Sequence, residues 1–498
     1  MGLRVGLEER VGVVIAGSGF AGIGMAIRLR REGIEDFVVL ERAGDVGGTW
    51  RDNTYPGAAC DVPSHLYSFS FAPNPDWEHN FSRQREIREY LRRCTREFGI
   101  MTHLRFGVEV LEARWDEELA EWEIETNRGV IRARVFVSAM GALSEPKIPG
   151  IPGLEGFPGR VFHSARWDHG YELRGRRVAV VGTGASAVQF VPEIQPEVER
   201  LYLFQRTPPW VIPRRDRRYR DFERRLFRLV PGYQRALRGL IYWGRELYVL
   251  GFVYDRRIMK GLELLAGRHL ERQVKDPVLR RKLTPDYTIG CKRILLSNDY
   301  YPALCRPNVE VICSGLSRVR GSEVVASDGT ARGVDAIIFA TGFHVTDMPA
   351  AGFIRGRGGT TLAESWEGGM QAYRGTTVAG FPNFFLLLGP NTGLGHNSQV
   401  FMIEVQIEHA VDCIRHLRRS GAATVEVRPE AQRAYNERVQ QAFRGTVWTE
   451  GGCRSWYLDE HGRNTTLWPG FTWRFWLRSR RMDPADYLLG ERERLVRA

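Results

Sequence analysis

The sequence predicts an α/β protein made of two parallel-sheet units, the second interrupted by a helical insertion. Three observations predict it. Buried-strand runs at residues 11–16 and 178–181 each lead into a glycine-rich turn, Gly17-x-Gly19-x-x-Gly22 and Gly182-x-Gly184-x-x-Ala187. A second apolar run follows each turn, at residues 37–40 and 201–204. Nineteen residues past the third small residue stands a charge, Glu41 in the first copy and Arg206 in the second.

The elements follow in order. Val13-Val14-Ile15-Ala16 and Val178-Ala179-Val180-Val181 are too continuously apolar for a half-exposed strand. A helix starts at Gly19-Phe20-Ala21 and stops near Gly33, a C-terminal glycine. The glycines let a strand turn sharply into a helix and bring a pyrophosphate onto that helix's N-terminus. The residue about 20 positions on ends the second strand beside the adenosine ribose. A carboxylate there accepts hydrogen bonds from a free ribose diol, and an arginine there pairs with a 2′-phosphate. Glu41 therefore fits FAD or NAD, and Arg206 fits NADPH. One chain with both sites reads most simply as a flavoenzyme reduced by NADPH. The plainer alternatives are a vestigial second copy, or Arg206 as a surface charge only.

At 498 residues the chain exceeds one core, so two or three domains are expected. Residues 1–144 form the first nucleotide unit, closing on Val135–Gly141, a buried strand and glycine turn. A connector at 145–176 carries Pro146, Pro149, Pro152 and Pro158, each fixing φ. The second unit spans 177–213 and 291–345, split by a helical stretch at 214–290, and ends on a run, 335–342, that parallels the strand leading to Gly141. Residues 380–498 return to the first unit and end in an aromatic tail. In the insertion, Tyr242, Trp243, Leu247 and Leu250 recur at helical spacing. The stripe reads as core, with a substrate passage or contact with a membrane surface as alternatives.

Composition excludes several classes. No apolar stretch approaches the ~20 residues of a membrane span, and residues 1–11 lack the apolar core of a secretory signal. The net charge of +12 is almost wholly arginine. Its densest cluster, between Arg214 and Arg228, is interrupted by Asp216, Asp221 and Glu223 and reads as a solvated face, with nucleic acid or an anionic membrane surface as the alternatives; one basic patch without a nucleic-acid motif is not a binding site by itself. Seven scattered cysteines form no CxxC pair, so neither a zinc site, another metal centre nor a redox dithiol is indicated. The expectation is a soluble protein of a reducing cytoplasm.

Two further motifs narrow the class. Gly47-Gly48-Thr49-Trp50 precedes Tyr55-Pro56-Gly57 and Asp61, and Phe157-x-Gly159-x-x-x-His163-x-x-x-Trp167-Asp168 lies just before the second glycine turn. With both fingerprints, these resemble the type I Baeyer–Villiger monooxygenases. The sister group, the flavin-containing monooxygenases, usually has another residue where Trp167 stands. The resemblance covers essentially the whole chain and is weakest in the tail.

The resemblance implies FAD held by Gly17, Gly19, Gly22, Glu41, Gly48, Thr49, Trp50 and Asp61. It implies NADPH held by Gly182, Gly184, Ala187, Arg206, Thr207 and Lys292. Arg293, in the segment Gly290-Cys291-Lys292-Arg293, matches the family's active-site arginine, and Asp61 the aspartate that orients it. Phe157, Gly159, His163, Trp167 and Asp168 are fingerprint residues that serve domain positioning. The implied chemistry is attack of a C4a-peroxyflavin on a ketone carbonyl, giving an ester or lactone, with the guanidinium stabilising the developing oxyanion. Substrates are then a small ketone and O₂. Taken singly, Arg293 and Asp61 also read as an ordinary ion pair, and His163 and Trp167 as core. The rival functions are oxygenation of sulfides or amines by the same machinery, and a non-catalytic nucleotide-sensing protein.

Overall fold

A strand with no polar side chain needs both faces covered, and this dictates where the central strands lie. The structure, a computed structural model, describes residues 9–491; residues 1–8 of the N-terminal segment read above lie outside them. Strand β1 (Glu9–Ala16) runs parallel to β2 (Phe37–Glu41), and helix α1 (Phe20–Arg31) makes the crossover. β2 pairs with β3 (Leu104–Phe106). On the other side, β4 (Val110–Asp116) and β5 (Glu121–Thr126) form an antiparallel meander with β6 (Gly129–Ser138), which lies parallel to β1. Strand Phe384–Leu386 returns late in the chain to pair with β6.

Short helix α2 (Thr49–Asp52) and helix α3 (Gln84–Glu97) precede the meander. α1, α3 and the long helix Gln399–Ser420 cover one face of the sheet in a single apolar cluster. Contact there is close: a Cβ on Gly24 of α1 would lie 2.8 Å from Ile407 Cδ1 of the long helix. Trp115, Trp122, Phe136 and Phe384 fill the other face.

The second sheet is wholly parallel, in the order Val309–Ile312, β9 (Arg200–Phe204), β8 (Arg177–Val181), Ala336–Phe339 and β7 (Arg160–His163). Helix α4 (Ala185–Ile194) follows β8 as α1 follows β1. The two strand-to-helix turns match in detail. Gly17 and Gly182 have φ of 105° and 109°. A Cβ on either would lie 2.5 Å from a carbonyl oxygen of the neighbouring strand's loop, Ala139 and Ala340 respectively. L side chains rarely adopt such φ, so both positions require glycine.

Between β9 and strand Val309–Ile312 lie α5 (Asp221–Leu229), α6 (Pro231–Glu246), α7 (Met259–Gln273) and α8 (Pro277–Leu283). Here the reading of the aromatic stripe as core is corrected: Trp243, Leu247 and Leu250 are exposed, and Tyr242 is half-buried. The inner face of α6 packs Leu237, Ile241 and Tyr242 against the first core cluster and holds hydrogen-bonded polar groups beside them. Gln234 donates to the Asn74 carbonyl at 2.7 Å, Arg238 to the His65 carbonyl at 2.8 Å, and Glu246 accepts from Thr472 and Asn397. In the arginine cluster, Arg217 pairs with Glu223 at 2.7 Å, Arg224 with Asp221, and Arg228 with Asp76. Among the described residues, no helix is long and apolar enough to cross a membrane.

Candidate active site

The carboxyl ends of the parallel strands of both sheets open onto one cleft of about 1430 Å³. In open α/β sheets this is where ligands bind, because helix N-termini and loops converge there. Gly17, Gly19 and Glu41 line it on one side, and Gly182, Thr183 and Arg206 on the other.

On the first side, α1 begins at Gly19 with no side-chain cap. Its first-turn amides have no intrahelical partner, which leaves a donor-rich edge at the cleft. A Cβ on Gly22 would fall 1.9 Å from the Gly17 carbonyl oxygen, and one on Gly48 3.1 Å from Gly19 Cα. These glycines keep a cradle open at backbone distance, which suits a pyrophosphate. Glu41, buried at the end of β2, accepts from Ser18 N at 3.0 Å, Ser18 Oγ at 2.6 Å and Ala43 N at 2.9 Å, and pairs with Arg51 at 2.7 Å. Thr49 opens α2 beside the cleft, and Trp50 Nε1 donates to Tyr67 Oη at 3.0 Å.

On the second side, α4 begins at Gly184, again without a side-chain cap. Ala187 is fully buried, so the second copy tolerates a methyl group where the first does not. Arg206, Thr207 and Lys292 line the cleft together, and among the described residues neither cation is in an ion pair. Thr183 Oγ1 donates to the Thr207 carbonyl at 3.2 Å. Burial, and then the nearby Arg206 charge, push the Lys292 ammonium pKa down, as expected for two cations awaiting an anion. Lys292 also sits over the Tyr287 ring, 5.1 Å from its centroid.

Between the two sides, Arg293 Nε and Nη2 each donate to Asp61 at 2.6 Å, and Nη1 reaches the Leu394 carbonyl at 3.4 Å. The Asp61 charge raises the guanidinium above its ordinary value. Burial works to raise the Asp61 pKa, but the Arg293 charge and hydrogen bonds outweigh it, and the carboxyl stays below its usual range. The pair is ionised at neutral pH and oriented bidentately, with about a third of the arginine side chain open to the cleft.

The Phe157–Asp168 motif is divided by the fold. Phe157 packs under the second sheet, and a Cβ on Gly159 would lie 2.3 Å from the Asp335 carbonyl oxygen. β7 then runs along the sheet edge and delivers His163 to the cleft wall, where Nδ1 accepts from Ala165 N at 3.1 Å. Burial lowers the His163 pKa to about 4. Trp167 lies between Phe162 and Phe190, both ring centroids 5.2 Å away. Asp168 faces away from the main cleft, paired with Arg160 at 2.5 Å.

Sequence reading missed three groups. Gln189 of α4 accepts from Tyr55 Oη at 2.9 Å and donates to the Ala59 carbonyl, tying the Asp61 segment to the second sheet. Behind Leu394, Arg245 donates to the His396 carbonyl at 2.7 Å, while Glu246 faces His396 at 3.4 Å. The charged Arg245-Glu246 pair in an apolar stretch was the available signal; its partners 150 residues on carried none. Third, Cys291 and Cys453 form a disulfide, their Cα atoms 6.1 Å apart. This corrects the expectation of scattered cysteines without a pair. A separation of 162 residues has no spacing signature, and only the fold brings them together.

The comparisons with known proteins agree with this geometry. Residues 8–226 match the family model described as flavin-binding monooxygenase-like. A Baeyer–Villiger monooxygenase of Streptomyces coelicolor is 59% identical over 97% of this chain and 93% of its own length. One of Pseudomonas aeruginosa is 52% identical over 96% and 91%. Among solved structures, oxidized steroid monooxygenase bound to NADP superposes with a TM-score of 0.85 at 30% identity, over 97% of this chain and 100% of that one. OTEMO in complex with FAD and NADP gives 0.84 at 26%, over 97% and 100%. Fold and site thus define a two-nucleotide flavoprotein monooxygenase. Within that class, the chain belongs to the Baeyer–Villiger monooxygenases.

Proposed function

We propose that this protein is an FAD-dependent, NADPH-using monooxygenase that inserts one oxygen atom beside a ketone carbonyl to give an ester or lactone. The observation that carries the reading is the Arg293–Asp61 pair, set between two uncapped helix N-termini on one cleft. When bound, the flavin supplies the activated oxygen and NADPH the hydride.

The chain's own residues do the rest. Gly17, Gly19 and Gly22 would admit the FAD pyrophosphate to the α1 amides, with Glu41 for the ribose and Gly48, Thr49 and Trp50 completing the cradle. Gly182, Gly184 and Ala187 would do the same for NADPH at α4. Arg206, Thr207 and Lys292 would take the 2′-phosphate, an anion set between two cations. Arg293, fixed by Asp61, holds donors in place for the negative charge that develops on the carbonyl oxygen. Preorganised donors of this kind pay no reorganisation cost at the moment of reaction. Phe157, Gly159, His163, Trp167 and Asp168 set the second sheet against the cleft. The cellular setting we assign is the cytoplasm, with O₂ and a small ketone as the other reactants.

The test is NADPH-dependent oxygen uptake by the purified yellow protein, with cyclic, linear, aryl and steroidal ketones and a thioether in parallel. Ester or lactone from a ketone supports the reading. Exclusive sulfoxide formation would move the protein to heteroatom oxygenation, and no NADPH-linked uptake would remove the enzymatic reading altogether.

A further inference from the structure

More than half of the large apolar side chains exposed among the described residues fall between Phe222 and Leu265, under a tenth of the chain. In α5, Phe222 and Leu229 share the outer side, two turns apart and opposite buried Phe227. The Phe227 ring stacks on Tyr233 at 5.6 Å and so joins α5 to α6. Exposure continues through Tyr233, Leu240, Trp243 and Leu247 of α6, which recur at helical spacing, to Tyr254 and Ile258 beyond it. Leu229, Leu240 and Leu247 are 81%, 72% and 63% exposed, so most of each leucine stands in water. An outward apolar face of this length marks an interaction surface.

Its flanks carry charge of one sign. In the arginine cluster Arg217, Arg224 and Arg228 pair with carboxylates, but exposed Arg215, Arg218, Arg220 and Arg225 are in no ion pair among the described residues. At the far end exposed Arg257 and Lys260 are likewise unpaired, and exposed Arg235 stands between the two groups. From residue 214 to 260, Asp255 is the only exposed carboxylate outside an ion pair among the described residues.

Apolar face and charge together select the partner. A second copy of the chain would cover the leucines but not the cations. Parallel pairing sets the arginine cluster against itself, and antiparallel pairing sets it against Arg257 and Lys260, so like charges meet either way. A nucleic acid would neutralise the cations and leave Leu240 and Leu247 in water. A bilayer containing anionic lipid answers both. Leucine and phenylalanine side chains enter the acyl boundary, tryptophan and tyrosine rings sit at headgroup level, and the flanking arginines stay among the phosphates.

We propose that α5, α6 and the continuation to Lys260 form a peripheral docking surface for anionic phospholipid bilayers. None of these side chains lines the cleft, so the inference stands apart from the proposed reaction.

Flotation of the purified full-length protein on vesicles tests it. The protein is expected to float with phosphatidylcholine–phosphatidylglycerol vesicles at low salt, far less with phosphatidylcholine alone, and to be released as salt rises. Leu240→Glu and Leu247→Glu should each weaken binding about 10-fold or more. Arg218→Ala combined with Arg225→Ala should weaken it about 30-fold, from roughly fivefold per arginine. Flavin content and thermal midpoint should stay at the parent values, since every substituted side chain is exposed. Brominated lipid should quench part of the parent's tryptophan emission, and that part should be missing from Trp243→Phe. Absence of flotation on anionic vesicles, flotation that both glutamates leave intact, or equal flotation on phosphatidylcholine alone would each overturn the proposal. So would unchanged quenching in Trp243→Phe. A dimer in sedimentation velocity that Leu240→Glu dissociates would also overturn it, by assigning the face to a second copy.

Discussion

Arg293 and Asp61 stand 232 residues apart in the chain and meet through two hydrogen bonds of 2.6 Å. The aspartate comes from the loop after α2, bonded through Gln189 to the second sheet, and the arginine from the segment before strand Leu295–Leu296. The pair therefore reports directly on whether the two sheets are correctly assembled around the cleft.

Removing the guanidinium should separate the two half-reactions. Arg293→Ala is expected still to accept hydride from NADPH, yet to release hydrogen peroxide in place of ester, with product formation down about 10²–10³-fold. Asp61→Ala should weaken the same step less, by letting the arginine swing. Stopped-flow absorbance of flavin reduction, with ester and peroxide assayed beside it, distinguishes them. Ester at near the parent rate from Arg293→Ala would mean that this is not the active site.

Cofactor choice should rest on Arg206 and Lys292. A charge-assisted hydrogen bond contributes roughly 1.5–3 kcal/mol. Arg206→Ala should accordingly raise KM for NADPH by about one to two orders of magnitude and leave NADH nearly unchanged. Steady-state kinetics with both nucleotides checks this, and equal use of the two by the wild type would place Arg206 away from the ribose.

The flavin cradle should reject even one methyl group. Gly22→Ala would set a Cβ 1.9 Å from the Gly17 carbonyl oxygen, a clash that only backbone movement relieves. The expectation is a protein that folds with a lower thermal midpoint and is purified largely colourless. Overpacking of this kind typically costs about 1–3 kcal/mol or more. Ala187→Gly in the second copy, by contrast, should retain flavin. Normal flavin content in Gly22→Ala would contradict the geometry.

Acid should destabilise the fold through its buried histidines. Burial lowers the pKa of His65 and His163 to about 4 and of His409 to about 3, from 6.5. These rings stay neutral in the native state while the unfolded chain takes up protons below pH 6.5. Stability is thus fully present above 6.5 and lost as pH falls toward 4, at up to about 1.4 kcal/mol per pH unit for each ring. Thermal midpoints measured from pH 7.5 down to 4.5 should fall, and His163→Asn should flatten the slope. An unchanged slope would show that His163 titrates normally.

The bridge predicts a thiol count. Of seven cysteines, Cys60, Cys94, Cys305, Cys313 and Cys413 are free. Alkylation under denaturing conditions without reductant should modify five and leave Cys291 and Cys453 in one linked peptide. Cys453→Ser should loosen residues 454–456, which line the cleft beside Lys292 and Arg293, and speed tryptic cleavage after Arg454. Seven alkylated cysteines in the unreduced protein would rule the bridge out.

Local signals carried much of this molecule. The two strand–glycine–helix units and the second apolar strands that run toward Glu41 and Arg206 were legible. Each depends on backbone requirements that short motifs express: a positive φ at Gly17 and Gly182, and continuous apolar runs for doubly covered strands. The tertiary structure decided what such motifs cannot encode. It joined Arg293 to Asp61, closed Cys291 onto Cys453, and sent Asp168 away from the cleft while its motif partner His163 reached the wall. It also reversed the reading of the α6 stripe. Periodicity establishes that Trp243, Leu247 and Leu250 share one side of a helix; which side faces the protein depends on partners far along the chain, here His65, Asn74, Asn397 and Thr472, whose hydrogen bonds claim the polar face.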